Sequence, residues 1–206
     1  MKKPFKVAAW SFIILLVLGF LLGIFINIMP LAGLSIVVYG ILSPILGILV
    51  FYGFIMTGKR FKSKFLVIMS WIGIILLILY TLYFLFGSYF IDIPIPSEDY
   101  LGNISNQSQD DLENLDLEPL YGFLVLVLIA HTVISIILGI HDILFGIAQL
   151  KIRKKIKYAK TAGILNIISG ATLFIFIGYI VIIVAAIFEI LLLFEASRRF
   201  EVKRKK

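Results

Sequence analysis

The chain has 206 residues, 61% of them hydrophobic, no cysteine and a formal net charge of +7. A soluble domain carries roughly 45–50% apolar residues, so this composition excludes an ordinary soluble domain, and the missing cysteine excludes disulfides, thiolate metal sites and cysteine nucleophiles. His131 and His141 are the two histidines, too few for a His-rich metal site in one chain, so neither a metal nor another cofactor is expected.

All 19 Lys and Arg fall in four clusters, Lys2–Lys6, Lys59–Lys64, Lys151–Lys160 and Arg198–Lys206. Each cluster flanks an apolar run, which is the pattern of positively charged cytoplasmic loops, so nucleic acid is not an expected partner. Anionic lipid headgroups at a cytoplasmic rim are. In chain order, helix 1 is predicted over 7–29. Its apolar run exceeds the roughly 7–15 residues of a signal-peptide core, so it reads as a span and not as a cleaved leader. A turn at 30–33 leads to helix 2 over 34–57, where Ser43-Pro44 should introduce a kink. Helix 3 follows over 65–87.

Eight of the 12 acids, Asp92, Glu98, Asp99, Asp110, Asp111, Glu113, Asp116 and Glu118, then fall in a stretch without Lys or Arg. Residues 88–118 read as an acidic extracytoplasmic loop, with Asn103 and Asn106 in N-x-[ST] sequons as glycosylation acceptors in a host with the machinery. Pro119 suits the first position of helix 4, predicted over 119–150. The apolar block 161–197 would be ~55 Å long as one helix. Basic clusters at both its ends require an out-and-back path, so it divides into helices over 161–177 and 180–197 with a turn near Gly178-Tyr179.

An even number of crossings between basic clusters gives the expected fold class. It is an all-α integral membrane helical bundle, one domain over 1–206, with six transmembrane helices arranged as three hairpins and both termini cytoplasmic. The Ile- and Lys-rich composition points to a prokaryotic cell membrane. Short parallels between hairpin ends, such as Gly58-Lys-Arg-Phe against Ser197-Arg-Arg-Phe, suggest a repeat of the hairpin unit. Gly19 and Gly23 form a GxxxG pair, expected to let helices approach closely.

The informative residues are the polar ones inside the spans. On helix 4, residues seven and eleven apart nearly coincide in angle, which groups Asp142 with Ser135, His131 and Gln149, beside Gly139 and Gly146. His141 points about 100° away, so His141-Asp142 is not expected to be a facing pair. Asp142 precedes Lys151 by nine residues, Glu189 precedes Arg198 by nine, and Asn166 and Ser169 follow Lys160 by six and nine. At 1.5 Å per residue these side chains should share one layer ~9–14 Å from the basic ends. Glu195 is expected to pair with Arg198 and Arg199 at i+3 and i+4.

An acid at mid-span costs ~2.5–3.5 kcal/mol on insertion scales, so the layer of Asp142, Glu189, Ser169, Asn166, Ser135 and His131 must be either a structural clamp or an ion or proton site. No nucleophile elbow, phosphate loop or metalloprotease motif is present, so the chain is read as non-enzymatic. Two functions follow. The leading one is an interaction or assembly subunit in the lipid bilayer, partnered by a copy of itself or another membrane protein. The alternative is a small transporter or channel for protons or cations using Asp142 and Glu189. What separates them is whether a water-accessible cavity reaches Asp142, a dry and packed site favouring the clamp.

Overall fold

The computed structural model describes residues 3–25, 29–90, 118–173 and 177–202. Among them it has six helices and no strand: α1 (Lys3–Phe25), α2 (Met29–Arg60), α3 (Lys64–Phe90), α4 (Glu118–Leu150), α5 (Ala159–Thr172) and α6 (Ile177–Val202). Five are long and apolar enough to cross a membrane. The exception is α5. Its 14 residues extend only ~21 Å, short of a ~30 Å hydrocarbon core.

Two turns sit earlier than their sequence expectations. Helix α1 ends at Phe25 and α2 starts at Met29, which puts Pro30 inside the first turn of α2. There its missing N–H removes no helical bond. Helix α5 ends at Thr172, and Gly178, expected at the bend, lies in the first turn of α6. A Cβ there would run into the backbone of Leu173 and stand 2.7 Å from the Ser169 carbonyl oxygen. Gly178 therefore permits a close return of the chain after a bend already made. The acidic segment with Asn103 and Asn106 falls outside the described residues.

The surface pattern is the reverse of a soluble bundle. Along α1, Val7, Trp10, Ile14, Val17 and Phe20 are exposed at helical spacing, while Ala8, Ala9 and Ser11 are buried. Large apolar side chains outside and small ones inside is the arrangement for helices solvated by hydrocarbon, where close packing and not hydrophobic burial holds neighbours together. The hydroxyls of Thr57, Ser70, Thr81, Thr132 and Thr172 each donate to the carbonyl four residues back. They are satisfied within their own helices and tie no helices together.

Each helix packs on its sequence neighbours, and α6 returns to pack on α1, so the six close into a ring. At one end the ring is filled solid. Phe5, Phe54, Leu66, Ile152, Ile156, Leu192 and Leu193 are all buried there, drawn from α1, α2, α3, the 151–158 connection and α6. The same end carries the described basic clusters. Lys155 Nζ donates to the Phe61 carbonyl at 2.6 Å, Lys151 Nζ lies 4.2 Å from the centre of the Phe65 ring, and the Lys157 N–H donates to Glu195 Oε2 at 2.7 Å. Glu195 also holds Arg199, Nη2 to Oε1 at 2.9 Å.

The tightest joint is between α4 and α5. A Cβ added to Gly139 would stand 2.6 Å from the Gly170 carbonyl oxygen, and one added to Gly146 would stand 2.5 Å from that of Gly163. Glycines seven residues apart on each helix thus form a backbone-to-backbone seam. Gly19 has ordinary room instead, with the Tyr39 ring 3.9 Å from its would-be Cβ. The expected close approach at Gly19 is thus absent there, and the close approach lies in the glycines beside Asp142. We predict that Gly139→Ala lowers the detergent-state Tm, because overpacking costs ~1–3 kcal/mol. Gly19→Ala should leave Tm unchanged or raise it, since alanine gains ~1 kcal/mol of helix propensity. Equal melting of the two variants would contradict the seam.

Candidate functional site

The glycine seam brings α5 close enough to α4 for short polar side chains to meet, and the α5–α6 hairpin brings α6 alongside. At this level Gln149 of α4, Asn166 of α5 and Glu189 of α6 form a closed triangle. Gln149 Nε2 donates to Glu189 Oε1 at 2.5 Å. Asn166 Nδ2 donates to the same oxygen at 2.6 Å and lies 3.2 Å from Gln149 Oε1. The three are 0%, 6% and 7% exposed, so each polar atom has to be satisfied by a neighbour. The triangle joins three helices through one carboxylate oxygen.

Asp142 is not part of it. The expected common layer of Asp142 and Glu189 used Lys151 and Arg198 as equivalent depth marks. They are not equivalent, because α6 continues to Val202 whereas α4 stops at Leu150 and its connection tucks Ile152 and Ile156 into the core. Glu189 therefore sits opposite Gln149, only two residues before Lys151.

Asp142 instead meets His141. Their Oδ1 and Nδ1 atoms are 3.3 Å apart, which corrects the expectation that the pair does not face. That expectation allowed α4 only a narrow inward face. In a ring of six helices the interior subtends a wider arc, and consecutive positions can both look into it. His141 Nε2 is 3.2 Å from the Met69 carbonyl oxygen of α3. A carbonyl only accepts, so Nε2 carries a hydrogen. The Nδ1–Oδ1 contact sets the imidazole against the carboxyl group. The imidazole is 6% exposed and the carboxyl 25%.

Rings surround this pair. Phe145 stacks on His141 with centroids 5.6 Å apart. Phe51 and Phe54 of α2 meet Phe145 edge-to-face at 5.9 and 5.0 Å. Between them and the triangle lies a cavity of about 200 Å³, lined by residues of all six helices. His141, Asp142, Asn166 and Glu189 reach its wall beside Phe12, Phe51, Phe54 and Phe145. It lies on the ring's interior, next to the solid basic end. Among the described residues no three His, Asp or Glu side chains gather where they could hold a metal ion.

The remaining residues of the expected layer lie apart from the cavity wall. Ser169 is buried and its hydroxyl lies 3.4 Å from the Gly178 carbonyl, clipping the α5–α6 bend. Ser135 is buried, 3.5 Å from His131 Nε2. His131 is exposed and stacks on Tyr179 of α6 at 6.4 Å, with the phenol oxygen 3.4 Å from Nε2. Spacing puts Gln149 on the Asp142 face, and the structure adds it to the site. The angle between consecutive helical positions hides His141. An amide two residues before a basic cluster is the sequence signal for the first.

The triangle generates a test. Gln149→Leu and Asn166→Leu should each lower stability by ~1–3 kcal/mol, the cost of leaving buried polar groups unpaired. Their double mutant should show coupling of ~0.5–3 kcal/mol. Glu189→Gln, which keeps an accepting oxygen, should fall least. Strict additivity of the two leucine variants in detergent unfolding would mean that the triangle is no unit.

No protein family, curated protein or solved structure gives a significant match to this chain.

Proposed function

We propose that the chain is a small multi-pass transporter or channel that takes protons or cations through the interior of its helical ring. The observation that carries this reading is the cavity of about 200 Å³ reaching Asp142. An interaction subunit needs no such space, and its intramembrane acids would serve best in a dry, fully packed clamp. Here the two roles divide. Glu189 with Gln149 and Asn166 is the clamp, and its carboxylate still reaches the cavity wall. Asp142, partly exposed beside His141, is the exchange group.

On this reading the solid basic end faces the cytoplasm, as the placement of Lys and Arg favours, and the acidic segment between α3 and α4 faces outward. The membrane is the cell membrane of a prokaryote, and the chain performs no covalent chemistry. Anionic lipid is the natural partner at the basic end. A groove of about 570 Å³ there is lined by Lys59, Lys62 and Lys64 beside the apolar Val67 and Ile68. Headgroup attraction is worth about 1 kcal/mol per basic residue near a charged leaflet.

In proteoliposomes the wild-type protein should collapse an imposed proton, sodium or potassium gradient faster than empty liposomes do. Asp142→Asn should slow this about tenfold or more, because losing a hydrogen bond to a charged group costs ~1.5–3 kcal/mol. A wild-type protein that leaves all three gradients standing would remove the reading for protons and inorganic cations.

A further inference from the structure

We infer that the cavity is built for a small organic ammonium ion with an apolar body, bound with its charge at Asp142 and its carbon skeleton against the aromatic wall. This rests on the transport reading and names the substrate class of the same site.

The first ground is coordination. A bare inorganic cation needs its water shell replaced by oxygens, six to eight of them for a calcium-like ion. The cavity wall cannot supply them. Its acids are Asp142 and Glu189, and one oxygen of Glu189 already accepts from both Gln149 and Asn166. An ammonium group asks for less. It has a few N–H donors, and one carboxylate oxygen with an amide oxygen or a water can satisfy them.

The second ground is the rest of the wall. Phe12, Phe51, Phe54 and Phe145 line the same space, and three of them form a continuous edge-to-face cluster with centroids 5.0–5.9 Å apart. A wall of this kind gains nothing from a hydrated metal ion. It suits hydrocarbon, and aromatic rings also attract an ammonium within about 6 Å of their centres. The third ground is size. About 200 Å³ is room for roughly six waters at ~30 Å³ each, or for one amine of comparable volume. The mix of apolar lining with a few placed polar groups is that of small-molecule pockets generally.

The test uses the full chain in lipid nanodiscs and benzylammonium as the probe. Benzyl alcohol is the uncharged control, and sodium and potassium chloride the inorganic ones. Calorimetry should show saturable binding of benzylammonium and none of benzyl alcohol at the same concentration. Asp142→Asn should weaken it about 10- to 100-fold. Ala186→Leu, which fills the cavity and leaves both acids in place, should abolish it, and melting curves of both variants check that they fold. Benzylammonium binding no better than benzyl alcohol, or equally well to Ala186→Leu, would overturn the inference. Asp142-dependent proton, sodium or potassium flux without amine binding sinks this inference and leaves the transport reading standing. Amine binding without flux of any ion or of the amine upholds the ligand class and sinks transport.

Discussion

The structure depends on how one acid is accommodated. Glu189 lies in the middle of an apolar helix and is only 7% exposed. Its carboxylate has to find donors on neighbouring helices, and it finds two on one oxygen, from Gln149 and Asn166. Those donors are short. Gly139, Gly146, Gly163 and Gly170 let the backbones of α4 and α5 touch, which brings Asn166 within 3.2 Å of Gln149. The acid and the glycines are thus one device. Together they fix α4, α5 and α6 as a unit, and α6 then meets α1 to close the ring.

Closing a ring with side chains of uneven size leaves space inside it. At the basic end, Phe5, Phe54, Leu192 and Leu193 fill that space. One to two turns further along, the small Ala186 lies on the wall and the space stays open, while the room beside Gly47 is taken by Leu77. This is where His141 and Asp142 lie. The polar groups therefore serve two ends. Those in the triangle are consumed by one another and stabilise the bundle. Asp142 lies against the His141 imidazole and has the cavity before it.

Much of this was legible in the sequence. The four basic clusters marked one end of the bundle, and apolar length marked five of the helices. The spacing of Asp142, Gly139 and Gly146 identified the inward face of α4, and Asn166 and Glu189 stood out as polar residues in apolar runs. What the sequence did not reveal were quantities set by how helices sit against each other. Depth counted from Lys151 and Arg198 misaligned Asp142 with Glu189 because α4 and α6 end at different levels. The angle between His141 and Asp142 was right for an isolated helix, yet it did not separate them, because the interior of a six-helix ring is wide. The length of α5 was overestimated because no polar residue marks its end. The cavity itself belongs to no single helix, so no periodicity could announce it.

The central claim is that water reaches the interior of the ring beside Asp142. Since the chain lacks cysteine, single thiols can report on this directly. With the protein in liposomes, a small charged, water-soluble thiol reagent should modify Ala186→Cys on the cavity wall. It should spare Ile187→Cys on the exposed apolar face and Ala148→Cys in the packed core. An Ala186→Cys protein as unreactive as the other two would mean a dry interior, and would contradict the account.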